Sequence, residues 1–284
     1  MLFPPPPPQP GAEGGVDPAA QAGAVAEASA LPAIPEDVEQ AEPWDEWIEL
    51  GAAGSPGHYR ARFSSMGGTL QELRLDGWYD SGRLSEEARS DPGHWTQLLA
   101  PATAGPRTLA ALQLETAPSS MDLFPAGLGR VHWHHELLTE GDTTIGVRFW
   151  HQPSPSSLRV VKEVRRVEGA LHLAVTLRLE SPAEGGAGRR ASFTLVPAAG
   201  MPETSDDKYY VEPKARKAYR SGSEVEVASE ERAVRPGEDD MSGTLPSGDG
   251  TLFVGSDNKY FAVLLRGAMQ ADTDTLGATS WVRT

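Results

Sequence analysis

From Leu252 to Gly267 the chain reads LFVGSDNKYFAVLLRG, with apolar residues on both sides of an extended backbone. Tyr260, Ala262 and Leu264 project one way and Phe261, Val263 and Leu265 the other, because successive side chains of a strand alternate between faces. A strand with one wet face alternates apolar with polar residues. A strand apolar on both sides is expected in the middle of a layered β structure, covered on each face.

Other segments show the one-sided pattern. In Ala170 to Glu180 the positions Leu171, Leu173, Val175, Leu177 and Leu179 are apolar, against His172, Ala174, Thr176, Arg178 and Glu180. Tyr59, Ala61 and Phe63 alternate in the same way with Arg60 and Arg62. Further strands are predicted over Leu70 to Leu75, Leu109 to Thr116, Val131 to Leu138, Thr144 to His151, Leu158 to Val167, Ala191 to Val196 and Glu224 to Ala228. Turns are predicted at Asp76-Gly77, Glu140-Gly141-Asp142, Glu168-Gly169, Glu184-Gly185-Gly186 and Ser247-Gly248-Asp249-Gly250. No segment sustains a helical apolar stripe, and Leu84 to Arg89 is at most a short turn of helix. Many strands at short spacing predict an all-β fold, a large two-sheet sandwich.

Charge separates the chain into two parts. The first fifty residues carry ten acidic residues and no Lys or Arg, out of 40 acidic and 25 basic residues in all. Removing those ten leaves 30 acids against 25 bases, so the rest is only mildly acidic. A Pro/Ala/Gly-rich, acidic stretch with no aromatic residue between Phe3 and Trp44 buries too little apolar area to offset ordering entropy. Residues 1–43 are therefore predicted to be a disordered linker, and residues 44–284 a single β domain. The longest wholly apolar run, Tyr260 to Leu265, has six residues, against the roughly 20 that a membrane helix needs. The chain is expected to be soluble as it stands. It has no cysteine, so no disulfide contributes to stability.

Four segments, in order, carry a family resemblance. Asp257-Asn258-Lys259 followed by Tyr260-Phe261-Ala262 resembles a signature in the soluble domain of the bacterial membrane-protein insertase YidC. Phe63-Ser64-Ser65-Met66-Gly67-Gly68, running on through Leu70 to Tyr79, is similar to that family's early glycine-containing hairpin. Val161-Lys162-Glu163-Val164 is similar to its lysine-containing strand, and the opening Leu2-Phe3-Pro4 with its proline run resembles the segment after the first membrane helix, particularly in planctomycete-like members. The resemblance implies a periplasmic, galactose-mutarotase-like β super-sandwich, tethered to the inner membrane in the full-length protein. It also implies a fragment that lacks its membrane helices and is truncated at its C-terminal end. Implied structural residues are Gly67, Gly68, Lys162, Asp257, Lys259, Tyr260, Phe261 and Ala262. The implied function is non-catalytic: a scaffold or docking module in membrane-protein insertion and folding. Its implied partners are the Sec translocon and accessory subunits, with nascent membrane proteins engaged through the membrane region.

Residues that could carry chemistry are few. His132, His134 and Glu136 alternate along one predicted strand, and two histidines with a carboxylate on one face could begin a divalent-metal site. The competing reading is a solvated polar face, with Val131, Trp133, His135 and Leu137 packing behind it. His58, His94, His151 and His172 are isolated in sequence and read as surface or capping residues. Gly186-Ala187-Gly188-Arg189-Arg190-Ala191 spells a dinucleotide fingerprint but opens no helix, so it reads as a loop. Arg159, Lys162, Arg165, Arg166 and Arg178 could form a local positive patch, facing solvent or anionic headgroups. With no P-loop, nucleophile elbow or nucleic-acid motif, neither a cofactor nor a nucleic-acid partner is expected. Seven tryptophans admit a second reading, a sugar-binding or carbohydrate-active sandwich, although tryptophans spread this evenly are usually core plugs and edge covers. A third reading is a metal-dependent enzyme using His132 and His134.

Overall fold

The structure is a computed structural model that describes residues 41–104, 107–154, 157–180, 191–197, 202, 214–221, 223–230, 241–244, 250–257, 261–266 and 280–283. Residues 1–40, most of the predicted linker, and the loop 186–190 lie outside the described residues. The first sheet is antiparallel: β1 (Asp45–Leu50), β2 (Tyr59–Ser64), β3 (Thr69–Tyr79) and β4 (Trp95–Leu99) in sequence order. A single helical turn, α1 (Glu86–Arg89), lies between β3 and β4, where Ser85 Oγ accepts from Ala88 N at 3.2 Å. Short strands β5 (Ala102–Ala104) and β6 (Arg107–Leu109) pair with each other, and β7 (Leu114–Thr116) follows. The second sheet holds β8 (His134–Glu140), β9 (Thr143–His151), β10 (Arg159–Arg166) and β11 (Leu173–Glu180) as a meander. β12 (Phe193–Leu195) then returns to pair with β7. The third sheet takes β13 (Lys214–Ser221) and β14 (Glu224–Glu230). After β15 (Met241–Thr244) come β16 (Gly250–Asp257) and β17 (Ala262–Arg266), giving the order β14-β13-β16-β17. β18 (Ser280–Arg283) pairs with β15.

Period two places the core. Tyr59, Ala61 and Phe63 of β2 are buried together with Ile48 and Leu50 of β1 and Leu70, Leu73 and Leu75 of β3. Against them pack Val147 and Phe149 of β9 and Val160 and Val164 of β10, with the Phe63 and Phe149 rings 6.1 Å apart. The two sheets thus share one apolar interior, the expected sandwich. Leu173, Val175 and Leu177 of β11 pack on it from the sheet edge, whereas Leu171 and Leu179, at the ends of the same pattern, are exposed.

The opening expectation fails in an informative way. Leu252 to Gly267 is not one central strand but the hairpin β16–β17, paired from Asp257↔Ala262 to Phe253↔Arg266. β17 lies at the edge of its sheet, with Ala262 and Leu264 outward and Leu264 48% exposed. Only Val263 and Leu265 turn inward, and Val263 reaches the core. Two further expectations change. Asp76-Gly77 is not a turn: β3 continues through it to Tyr79, with Gly77 at φ 79 marking an irregularity in the pairing with β4. The strand predicted over Leu109 to Thr116 is broken by Leu112, a residue with φ 62, between β6 and β7. No helix among the described residues is long and apolar enough to cross a membrane.

Candidate functional site

Two segments singled out in the sequence meet at one buried point. Lys162 occupies an inward position of β10, between Val160 and Val164, and is fully buried. Its Nζ donates to Gly67 O at 3.0 Å and to Leu112 O at 2.6 Å, and lies 5.0 Å from the centroid of the Trp133 ring. Two carbonyls and a π face satisfy the head group in place of water. Burial still lowers the Lys162 pKa from 10.5 to about 7. Gly67 and Gly68 carry φ 66 and 55, a conformation that favours glycine, and a Cβ on Gly68 would meet Phe149 Cγ at 2.9 Å. The tight backbone corner lets the Gly67 carbonyl reach across the sandwich. Leu112, whose φ is also positive, presents the second carbonyl.

The C-terminal motif residues lie elsewhere. Asp257 pairs with Arg216 Nε at 3.0 Å, Phe261 packs edge-on to Trp78 at 5.6 Å, and Ala262 is exposed. Lys259 and Tyr260 lie outside the described residues.

His132, His134 and Glu136 are not brought together. The strand begins at His134, and His132 stands before it, its Nδ1 2.8 Å from Ser65 Oγ. His134 stacks on Trp150 at 5.5 Å, and Glu136 accepts from Arg148 Nη1 at 2.8 Å. Each is engaged with a different partner, and among the described residues no group of three or more His, Asp or Glu side chains is arranged to hold a metal ion. Behind them Trp133 is wholly buried and His135 stacks on Trp44 at 3.9 Å, but Leu137 is exposed.

The predicted basic patch is largely neutralised and split between faces. Glu163 accepts from Arg148 Nε at 2.8 Å, Arg178 Nη2 at 2.7 Å and Arg165 Nε at 3.1 Å. Burial alone would raise the Glu163 pKa, but the hydrogen bonds and charges of Arg148 and Arg165 outweigh it and hold the carboxyl below its ordinary range. Arg166 instead donates to Gly57 O at 2.8 Å and Pro56 O at 2.9 Å, bracing the loop between β1 and β2. Lys162 points into the core.

The residue that sequence reasoning missed is His58. Instead of a surface position it lies in a row across the outer face of the first sheet: Glu49 of β1, His58 just before β2, Asp76 of β3 and Trp95 of β4. His58 is 2% exposed, its Nδ1 lies 2.8 Å from Asp76 Oδ2, and its ring sits edge-on to Trp95 at 5.2 Å. Burial pushes the Asp76 pKa up, but hydrogen bonds from His58 and from the backbone N–H groups of Gly54 and Gly77 bring it below its ordinary value. In sequence, His58 and Asp76 are 18 positions apart; only the pairing of Tyr59 with Leu75 makes them neighbours. His151 is likewise half-buried, not a surface group, and burial, with the charge of His134, lowers its pKa to about 4. His94, half-exposed and 3.6 Å from Asp80, and the exposed His172 fit the surface reading.

No family model, no curated protein and no solved structure matches this chain.

Proposed function

We propose that this β domain is the periplasmic part of a YidC-type membrane-protein insertase, acting without catalysis as a scaffold and docking module beside the membrane. The observation that carries the reading is the Lys162 node. The glycine corner and the lysine strand, two of the segments that resemble the family, are joined by the 3.0 Å hydrogen bond from Lys162 Nζ to Gly67 O. Residues that resemble one family's motifs in sequence thus also act as one structural unit. The antiparallel all-β sandwich supports the same reading, and so do the tryptophans: Trp133 plugs the core, while Trp47 lies under the guanidinium groups of Arg60 and Arg74 at 5.0 and 5.2 Å. On this reading the domain faces the periplasm and its partners are the Sec translocon and accessory subunits.

Two measurements test it. The DNA flanking this segment should encode a preceding hydrophobic helix and a following multi-helix membrane region. In native membranes, a photocrosslinker at exposed Val225 or Leu264 of the full-length protein should yield adducts with translocon subunits. An open reading frame without membrane helices, or saturable hexose binding with no translocon adduct, overturns the proposal.

A further inference from the structure

We propose that His58 and Glu49 form a weak binding site for a zinc-like divalent cation on the outer face of the first sheet, with Asp76 orienting the imidazole. The inference is independent of the insertase reading. His58 is almost wholly buried, yet its Nε2 has no hydrogen-bond partner. A buried polar atom left unpaired costs about 1 to 3 kcal/mol, so it calls for a ligand. Glu49 Oε2 lies 3.7 Å from it, beyond hydrogen-bond reach.

That spacing suits a shared metal. Zinc lies about 2.0 to 2.1 Å from an imidazole nitrogen and about 2.0 to 2.2 Å from a carboxylate oxygen, which in a tetrahedron sets the two ligand atoms about 3.4 Å apart. The observed 3.7 Å is within a small rotation of the Glu49 side chain, which is 60% exposed and free to adjust. The other ring nitrogen is already held. Asp76 Oδ2 sits 2.8 Å from Nδ1, so the proton resides there and the Nε2 lone pair faces the Glu49 carboxylate. A carboxylate that fixes the tautomer of a ligating histidine is the usual outer-shell arrangement. With only two protein ligands, water completes the coordination, so the affinity is modest. The imidazole donor selects zinc or a similar transition ion over magnesium or calcium.

The test is calorimetric titration and thermal melting of the untagged chain with zinc chloride and, separately, magnesium chloride. One equivalent of zinc should bind and raise the melting temperature, and magnesium should do neither. Glu49→Gln alters an exposed carboxylate and leaves the fold intact, and it should abolish the zinc response. Asp76→Asn should weaken zinc binding by about 10-fold or more. The double variant His132→Ala/His134→Ala should bind zinc as the parent does. No zinc response in the parent overturns the proposal. An undiminished response in Glu49→Gln, or its loss in the His132/His134 variant, also overturns it.

Discussion

Replacing Lys162 with Met isolates the energetics of the buried amine, because the new side chain has similar length and no donor. Gly67 O and Leu112 O then lose donors at 3.0 and 2.6 Å, at a cost of about 1 to 3 kcal/mol each. Set against this, the wild type bears a penalty for holding a cation out of water. The native pKa of about 7 lies below the ordinary 10.5, so between these values the unfolded chain binds the extra proton and the folded chain does not. Stability therefore rises with pH across that window, is complete above 10.5, and is lost as pH falls to 7. From pH 7 to pH 9 this contributes roughly 2 kcal/mol to the wild type, and nothing to Lys162→Met. Urea unfolding of both proteins at both pH values gives the difference of differences, in which other titrating groups cancel. Lys162→Met is expected to be destabilised by roughly 2 to 4 kcal/mol at pH 9 and by about 2 kcal/mol less at pH 7. A destabilisation independent of pH, or one that shrinks toward pH 9, refutes the argument.

Phe63→Ala, in the shared core, should cost about 3 to 5 kcal/mol, whereas Phe261→Ala, half-buried beside the edge strand, should cost less than about 2; equal urea midpoints contradict the edge placement. Gly68→Ala should lower stability by about 1 to 3 kcal/mol, since positive φ and the approach to Phe149 act together; Gly54→Ala, with φ 73 and open space around it, should lose less in the same melting experiment. Glu163→Gln removes the carboxylate that balances Arg148, Arg165 and Arg178, and should destabilise by about 3 kcal/mol at pH 7. Because the Glu163 pKa is depressed, its stabilisation is present above the ordinary carboxylate range and lost as pH falls below it, so the variant's stability should fall less steeply on acidification than the parent's.

What the sequence disclosed depended on whether a residue's neighbours are local. The alternation in Tyr59, Ala61 and Phe63 names its own buried face, and the structure buries those three side chains. The same reasoning misled at Leu252 to Gly267. An apolar residue at an inward position and one at the unpacked face of an edge strand look alike in sequence, and only the sheet order separates them. Lys162 stood out by resemblance, yet its burial was invisible, because a lysine between Val160 and Val164 reads as a break in an apolar face until carbonyls from two distant segments appear opposite it. His58 was passed over for the same reason: its partners come from β1 and β3, and a histidine alone carries no sign of a carboxylate 18 residues away. His132, His134 and Glu136 show the converse error: the strand predicted from Val131 begins at His134, which leaves His132 outside it, and His134 and Glu136 are taken up by Trp150 and Arg148.

The Lys162 contacts also bear on the order in which the chain assembles. They join backbone positions 95 and 50 residues away, so neither can close until the glycine corner, the bend at Leu112 and the second sheet have come together. Loop closure over such separations comes late, and the amine keeps its hydration until the final docking. The node is thus a latch set after the folding barrier: weakening it should accelerate unfolding while leaving the refolding rate almost untouched, so its main effect is on how long the folded domain persists.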